Sequence, residues 1–152
     1  CCMSRSYHST DSKRYFDWLF HAKLDYLAAQ TLIEDVRCFD ATAFHCQQCI
    51  EKALKGYMLF KNRVLLDGHN LTWLCKQAAL MDNTFTQWLG KCATLNRYYI
   101  ETRYPADISL DIDTETIEAL MSSTTAMLDF ICEQIRFDFN SYHKRKPCKK
   151  QD

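Results

Sequence analysis

Proline and glycine are scarce in this sequence. Its 152 residues include two prolines and three glycines, and no proline precedes Pro105. Because these residues mark turns and interrupt helices, their scarcity argues against a fold of many short strands and loops. There is also no apolar run of the ~20 residues that a membrane span needs, and we expect no signal peptide before the domain. These absences favour a helical, cytoplasmic protein.

The chain also lacks an excess of either charge, with 19 basic and 19 acidic residues. A protein that relies on non-specific attraction to phosphates is usually basic, so any contact with nucleic acid must come from a local patch. The segment HKRKPCKK near the end is basic, and we expect residues 140–152 to form a flexible tail. Residues 1–11 are interpreted as a disordered leader or an expression remnant, and the missing initiator Met favours trimming. A single domain is predicted over residues 12–139.

Nine cysteines are present, and their odd number and irregular spacing argue against a secreted module held by disulfides. Several lie within apolar helical patterns, where a reduced thiol acts as a small apolar side chain.

Apolar residues recur at steps of three and four along most of the chain, which predicts an all-α, up-and-down bundle of about five helices. The first helix is predicted from about Ser12 to Asp35 and the second from about Ala41 to Lys61. The third follows the turn at Asp67-Gly68, and the fourth ends before Pro105. The last begins at the N-cap Asp113 and is expected to bury a long apolar stripe from Ile117 to Ile135. The buried face of the first helix is expected to contain Phe16, Leu19, Phe20, Leu24, Leu27, Ala28 and Leu32. The fourth is expected to be continuous through Phe85, Trp88, Leu89, Cys92, Leu95 and Tyr99.

The stretch FHCQQCIEKALKGYM contains the pattern C-x-x-C, which is typical of redox or metal sites. On a helix, however, Cys46 lies on the core face with Ile50, Ala53 and Tyr57, and Cys49 lies at the edge of that face. A reactive thiol instead needs exposure at a helix N-terminus. The pair best placed to share a metal is His45 with Cys49. Further ligands would have to come from His69, Cys75 or Cys92, so the four-ligand pattern of structural zinc is incomplete. We therefore predict packing, with no metal and no cofactor.

Four segments together resemble the HEPN domain family (higher eukaryotes and prokaryotes nucleotide-binding). They are YFDWLFHAKLDYLAAQTLIED, AFHCQQCIEKALKGYMLF, HNLTWLC and LNRYYIETRYP, and the resemblance covers about residues 14 to 137. It implies a bundle of four or five helices, often homodimeric, with a role in nucleotide or RNA transactions. Such domains frequently act beside a minimal nucleotidyltransferase partner in toxin–antitoxin-like gene pairs.

Many members of that family are metal-independent ribonucleases with an R-x4–6-H motif near the last helices. Arg103 stands about where the arginine of the motif is expected, but no histidine follows it before His143. Arg14 to His21 and Arg63 to His69 match the spacing, yet lie elsewhere in the chain. The sequence therefore lacks an evident catalytic pair.

Arginine and tyrosine are concentrated near the predicted end of the fourth helix, at Arg97, Tyr98, Tyr99, Arg103 and Tyr104. Guanidinium groups bind phosphate bidentately and tyrosine rings stack on bases. We predict a nucleotide- or RNA-binding site that contains Arg103, Tyr104, Tyr99, Arg97 and Lys52. The alternative is structural: Tyr99 fills the core, Arg103 pairs with a carboxylate, and Tyr104 packs under the next loop.

The second helix also carries the polar residues Gln47, Gln48, Glu51 and Lys52. Glu51 and Lys55 are spaced as a solvated ion pair. Alternatively, Gln48, Lys52 and Lys55 line a cleft or a dimer seam. His69 is interpreted as a helix-entry residue with a local hydrogen bond.

Three hypotheses follow. The first is a binding module without its own catalytic centre, the second is a ribonuclease that uses Arg103 with His69 or His143, and the third is a purely structural helical protein.

Overall fold

The structure, a computed structural model, describes residues 10–99 and 111–140. The elements that lie wholly within those ranges are five α-helices and two 3₁₀ segments. The helices are α1 (Tyr15–Leu32), α2 (Phe39–Asn62), α3 (Leu71–Met81), α4 (Leu89–Asn96) and α5 (Thr114–Ile135), and the 3₁₀ segments are Val36–Cys38 and Asn83–Trp88. The predicted all-α bundle of about five helices is confirmed. None of these helices has both the length and the apolar character that a membrane span requires.

The central element is α2, because α1, α3 and α5 all pack against it. Its predicted core positions Cys46, Ile50, Ala53 and Tyr57 are fully buried. Gly56 lets α1 approach closely, since a Cβ there would lie 3.1 Å from Cγ of Leu19 and 3.2 Å from the backbone oxygen of Tyr15. The core therefore surrounds α2.

Side-chain caps set several of the helix starts. The carboxylate of Asp113 accepts a 2.7 Å hydrogen bond from the backbone N–H of Thr116, which confirms the predicted N-cap of α5. Asn70 caps α3 by accepting from the backbone N–H of Trp73 at 3.1 Å. Asn70, and not its neighbour His69, is thus the entry residue of α3.

The predicted buried face of α1 is wrong in part. Leu24 and Leu27 are each 44% exposed, and the buried apolar residues of α1 are Leu19, Ala22, Tyr26 and Ala29. Apolar residues occur on every side of α1, so their spacing alone does not select a face. The small side chains of Ala22 and Ala29 suit a close helix contact better than leucine does.

The fourth predicted helix is shorter than expected. A 3₁₀ segment holds Asn83 to Trp88, and its N-cap Asp82 accepts from the backbone N–H of Thr84 at 3.0 Å. The α-helix then runs only from Leu89 to Asn96. The side-chain hydrogen bonds of Asp82 favour a local turn over an α-helix that continues through Phe85.

Candidate functional site

One narrow strip of α2 reaches the surface. Between Thr42 and Leu59 every residue of α2 is buried except Phe44, His45, Gln48 and Lys52. Because residues three and four apart lie on the same side of a helix, these four side chains form a single row, which we call the α2 strip. In the single chain, a ligand contacts this part of α2 only along the strip.

A buried carboxylate lies beside the strip. Glu51 is 4% exposed and Lys55 is 5% exposed, and Nζ of Lys55 donates to Oε1 of Glu51 at 3.0 Å. Nδ1 of His69 lies 3.0 Å from the same oxygen. The amides of Gln47 and Gln48 each lie 3.3 Å from Oε2.

The interpretation of Glu51 and Lys55 as a solvated ion pair is therefore wrong. The segment between α2 and α3 returns to α2, and the backbone oxygen of His69 accepts from Nε2 of Gln47 at 3.2 Å. Protein donors thus occupy the positions around Glu51 that water would hold in an exposed pair, as a buried charge requires.

Three nearly parallel rings extend from this network. The ring of His69 lies 4.6 Å from that of Tyr99 at an interplanar angle of 19°, and Tyr99 lies 6.4 Å from Phe44 at 24°. We call Phe44, Tyr99 and His69 the ring column. The side chain of His69 is 50% exposed, and its bond to Glu51 spans 18 residues, so the predicted local hydrogen bond is wrong.

A second carboxylate joins α1 to the strip. Asp25 is 8% exposed; its Oδ2 accepts from Nζ of Lys52, and its Oδ1 lies 2.8 Å from Nδ1 of His45. Asp25 was not predicted as a site residue. The available signal was a carboxylate between Leu24 and Tyr26, because an acidic side chain that is buried in an apolar stretch is usually paired.

The cysteines of α2 are packed. Cys46 and Cys49 are both fully buried, although Cys49 was expected only at the edge of the core. Burial raises the pKa of Cys46 to about 11 and that of Cys49 well above its usual value, so neither thiol is a ready nucleophile or metal ligand. Within residues 10–99 and 111–140, no group of three or more His, Cys, Asp or Glu side chains is placed to hold a metal ion.

A cavity of about 430 Å³ opens between α1 and the Lys52 end of the strip. Among the described residues, those that line it are Ser12, Asp17, Trp18, His21 and Lys52. The indole N–H of Trp18 donates to the backbone oxygen of Ser12 at 2.8 Å, which fixes the orientation of the ring. Nζ of Lys55 lies 5.7 Å from the centre of that ring. Of these five described residues, Lys52 alone was predicted as a site residue.

The structure divides the predicted site. Tyr99 is partly exposed within the ring column, Tyr98 is buried, and Arg97 is exposed at the end of α4. Lys52 instead pairs with Asp25 and lines the cavity, with 27% of its side chain exposed. Arg103 and Tyr104 lie outside the described residues.

In the other two arginine–histidine pairs with suitable spacing, the arginine does not contact the histidine. Arg14 pairs with Asp17 at 2.9 Å, while His21 lines the cavity. Arg63 ends α2 in a left-handed conformation with a φ of 58°, and His69 binds Glu51.

Comparisons with known proteins agree with this architecture. The chain is similar to the protein TT1696 from Thermus thermophilus, with 25% identity, a TM-score of 0.69, and coverage of 81% of this chain and 99% of that one. It is also similar to ST0689, an archaeal HEPN homologue, with 23% identity, a TM-score of 0.66, and coverage of 82% and 99%. A comparison with curated proteins gives no match. The model of the HEPN domain matches residues 15–135, and the chain therefore belongs to the HEPN domain family.

Proposed function

We propose that this HEPN-domain protein is a nucleotide- or RNA-binding helical module. The observation that carries the proposal is the stack of Tyr99 on the half-exposed His69, next to the only accessible strip in the middle of α2. Stacked aromatic rings are suited to bases, and arginines are suited to phosphates. The proposed binding residues are Arg103, Tyr104, Tyr99, Arg97 and Lys52.

The binding module is proposed to act in a larger system. Following the family resemblance, we expect a homodimer over residues 12–139 that works with a minimal nucleotidyltransferase in a toxin–antitoxin-like pair in the cytoplasm. The leader 1–11 and the basic tail 140–152 are proposed to flank the module. Co-purification with the product of an adjacent nucleotidyltransferase gene, and light scattering at the mass of two chains, would support this arrangement. A monomer that leaves such a product unbound would contradict it.

The affinity for nucleic acid tests the binding site. A labelled single-stranded RNA is titrated with the wild type and with Arg97→Ala and Arg103→Ala, and anisotropy is measured. Loss of a charged hydrogen bond costs roughly 1.5–3 kcal/mol, which corresponds to roughly a 10- to 150-fold weaker affinity. The matched control is Arg37→Ala, because Arg37 is exposed and pairs only locally with Asp35. Equal affinity in all four proteins would contradict the site.

One observation favours the ribonuclease as a second candidate. A buried carboxylate holds Nδ1 of His69 at 3.0 Å, and half of the imidazole side chain is exposed. An orienting carboxylate of this kind fixes the ring and leaves the other nitrogen to exchange a proton with a substrate. In this candidate Arg103 stabilises the charge that develops on phosphate.

Cleavage assays separate the two candidates. The ribonuclease would cleave single-stranded RNA in the presence of a chelator, and His69→Ala or Arg103→Ala would abolish cleavage. Arg37→Ala is again the control, because Arg37 is exposed and pairs only locally with Asp35. Intact RNA after incubation with pure wild-type protein would leave only the binding function.

A further inference from the structure

We infer that the cavity between α1 and α2 is a nucleobase subsite, in which the base lies against Trp18 and its phosphate lies at the mouth near Lys52 and His21. This inference rests on the proposed nucleotide- or RNA-binding function. The subsite is a third binding position, in addition to the arginine- and tyrosine-rich segment at residues 97–104 and the ring column. The ligand class is a base with an attached phosphodiester.

The size and lining of the cavity suit a base. A volume of about 430 Å³ lies within the ~300–1,000 Å³ range of pockets that bind small organic ligands. Trp18 supplies an aromatic surface that the bond to Ser12 holds in one orientation. A fixed ring stacks on a base with little loss of side-chain freedom.

Charge determines which part of a nucleotide lies inside. Asp17 forms part of the wall, where its Oδ2 accepts from the hydroxyl of Ser12 at 2.7 Å and from Nε of Arg14 at 2.9 Å. Arg14 offsets part of this charge, but the carboxylate still disfavours a phosphate beside it, whereas the amino groups of a base are donors that suit a carboxylate. The base therefore enters and the phosphate stays outside.

Lys52 is placed to hold that phosphate. An ammonium group has three N–H donors, and one of those of Lys52 is used by Asp25. Two donors remain on a side chain that is 27% exposed. The exposed imidazole of His21 lies at the same cavity.

The cavity and the ring column are close enough for one RNA strand to contact both. The centre of the Trp18 ring is 5.7 Å from Nζ of Lys55. Oε1 of Glu51 lies 3.0 Å from that Nζ and 3.0 Å from Nδ1 of His69. The Trp18 ring and His69 are therefore no farther apart than the total of these distances. The Glu51–Lys55 pair links the two positions through these contacts, and we expect each position to hold its own base. A ligand that uses both positions has at least two nucleotides.

A length series and intrinsic fluorescence test the subsite. Trp18 is the only tryptophan left in the variant Trp73→Phe/Trp88→Phe, since the chain has three. We expect its emission to be quenched by the dinucleoside monophosphate ApA and by the hexanucleotide A6. We also expect AMP to bind more weakly than either of them. In the wild-type background, Trp18→Ala should weaken A6 binding by about tenfold, because stacking on an aromatic ring contributes ~1–3 kcal/mol per base.

Three further variants guard against misfolding. Trp73→Ala is the control for Trp18→Ala, because Trp73 is 43% exposed on α3, away from the cavity, and A6 binding should be unchanged. His21→Glu adds a negative charge at the cavity mouth without touching the core, and should also weaken A6 binding. Lys76→Glu on the exposed side of α3 is its control.

The outcomes separate the subsite from the function. If the wild type binds A6 while Trp18→Ala and His21→Glu bind it equally well and Trp18 emission is unchanged, the subsite is wrong and the proposed function stands. If the wild type binds neither A6 nor AMP, both are wrong. Tighter binding of AMP than of ApA would contradict the proposal that one ligand spans the subsite and the ring column.

Discussion

Replacing Glu51 by glutamine would leave the ammonium group of Lys55 without its carboxylate where water scarcely reaches. The two side chains are 5% and 6% exposed, and they are joined by a 3.0 Å bond. Removing one partner of a buried pair costs roughly 3–5 kcal/mol. Glutamine keeps one acceptor oxygen for His69 and Lys55, so we expect the lower end, about 3 kcal/mol. For a domain of this size that loss lowers the Tm by roughly 6–12 °C.

The second replacement, Lys55→Met, makes the expectation specific. In Glu51→Gln/Lys55→Met no charge remains, so stability should return to within about 1 kcal/mol of the wild type. Urea unfolding of the wild type, both single variants and the double variant measures the coupling. The exposed pair of Arg37 and Asp35 supplies the control, because Arg37→Ala should not change the midpoint. If Glu51→Gln lowers the free energy of unfolding by less than about 1 kcal/mol, the buried network is refuted, because an exposed ion pair contributes no more than that.

Further predictions concern other parts of the fold. Gly56→Ala should destabilise the protein by about 1 kcal/mol in urea, because the 3.1 Å contact with α1 outweighs the helix propensity of alanine; a stabilised variant would contradict this. The hydrogen bonds from Thr116 lower the pKa of Asp113, so its stabilisation is present above the ordinary carboxyl pKa of ~3.9 and lost as pH falls through the lower folded value. The Tm difference between wild type and Asp113→Ala should therefore disappear on acidification. Cys46 and Cys49 should resist iodoacetamide at pH 8 until urea unfolds the chain, as peptide mass spectrometry would show; labelling of both in the folded protein would contradict their burial.

Local signals predicted much of the fold. Asp113 followed by the long apolar pattern of α5 was sufficient to place both the cap and the buried side, because each depends on residues within one helix. The spacing along α2 likewise placed Cys46 and Ile50 in the core. In α1, by contrast, apolar residues surround the helix, and the choice between Leu27 and Ala29 depends on how closely α2 approaches.

The candidate site was harder to predict because its contacts are not local. Glu51 and Lys55 have the spacing of a surface pair, and only the return of His69, 18 residues later, shows that they are buried. Asp25 reaches His45 and Lys52 across 20 and 27 residues. No spacing rule connects such residues, so a single sequence indicates their chemistry without indicating which of them meet.

Lys52 provides the clearest separation of the binding and structural hypotheses. Its replacement by glutamine does not leave Asp25 without a partner, because Nδ1 of His45 remains 2.8 Å from that carboxylate. In addition, 27% of the Lys52 side chain is already exposed to solvent. We therefore expect Lys52→Gln to lose less stability than the ~3 kcal/mol of Glu51→Gln, because its charge is less desolvated. A lost phosphate contact would nevertheless weaken the affinity for single-stranded RNA and reduce the salt slope by about 0.7. Reduced stability with unchanged affinity and salt slope would instead favour a purely structural role for the α2 strip.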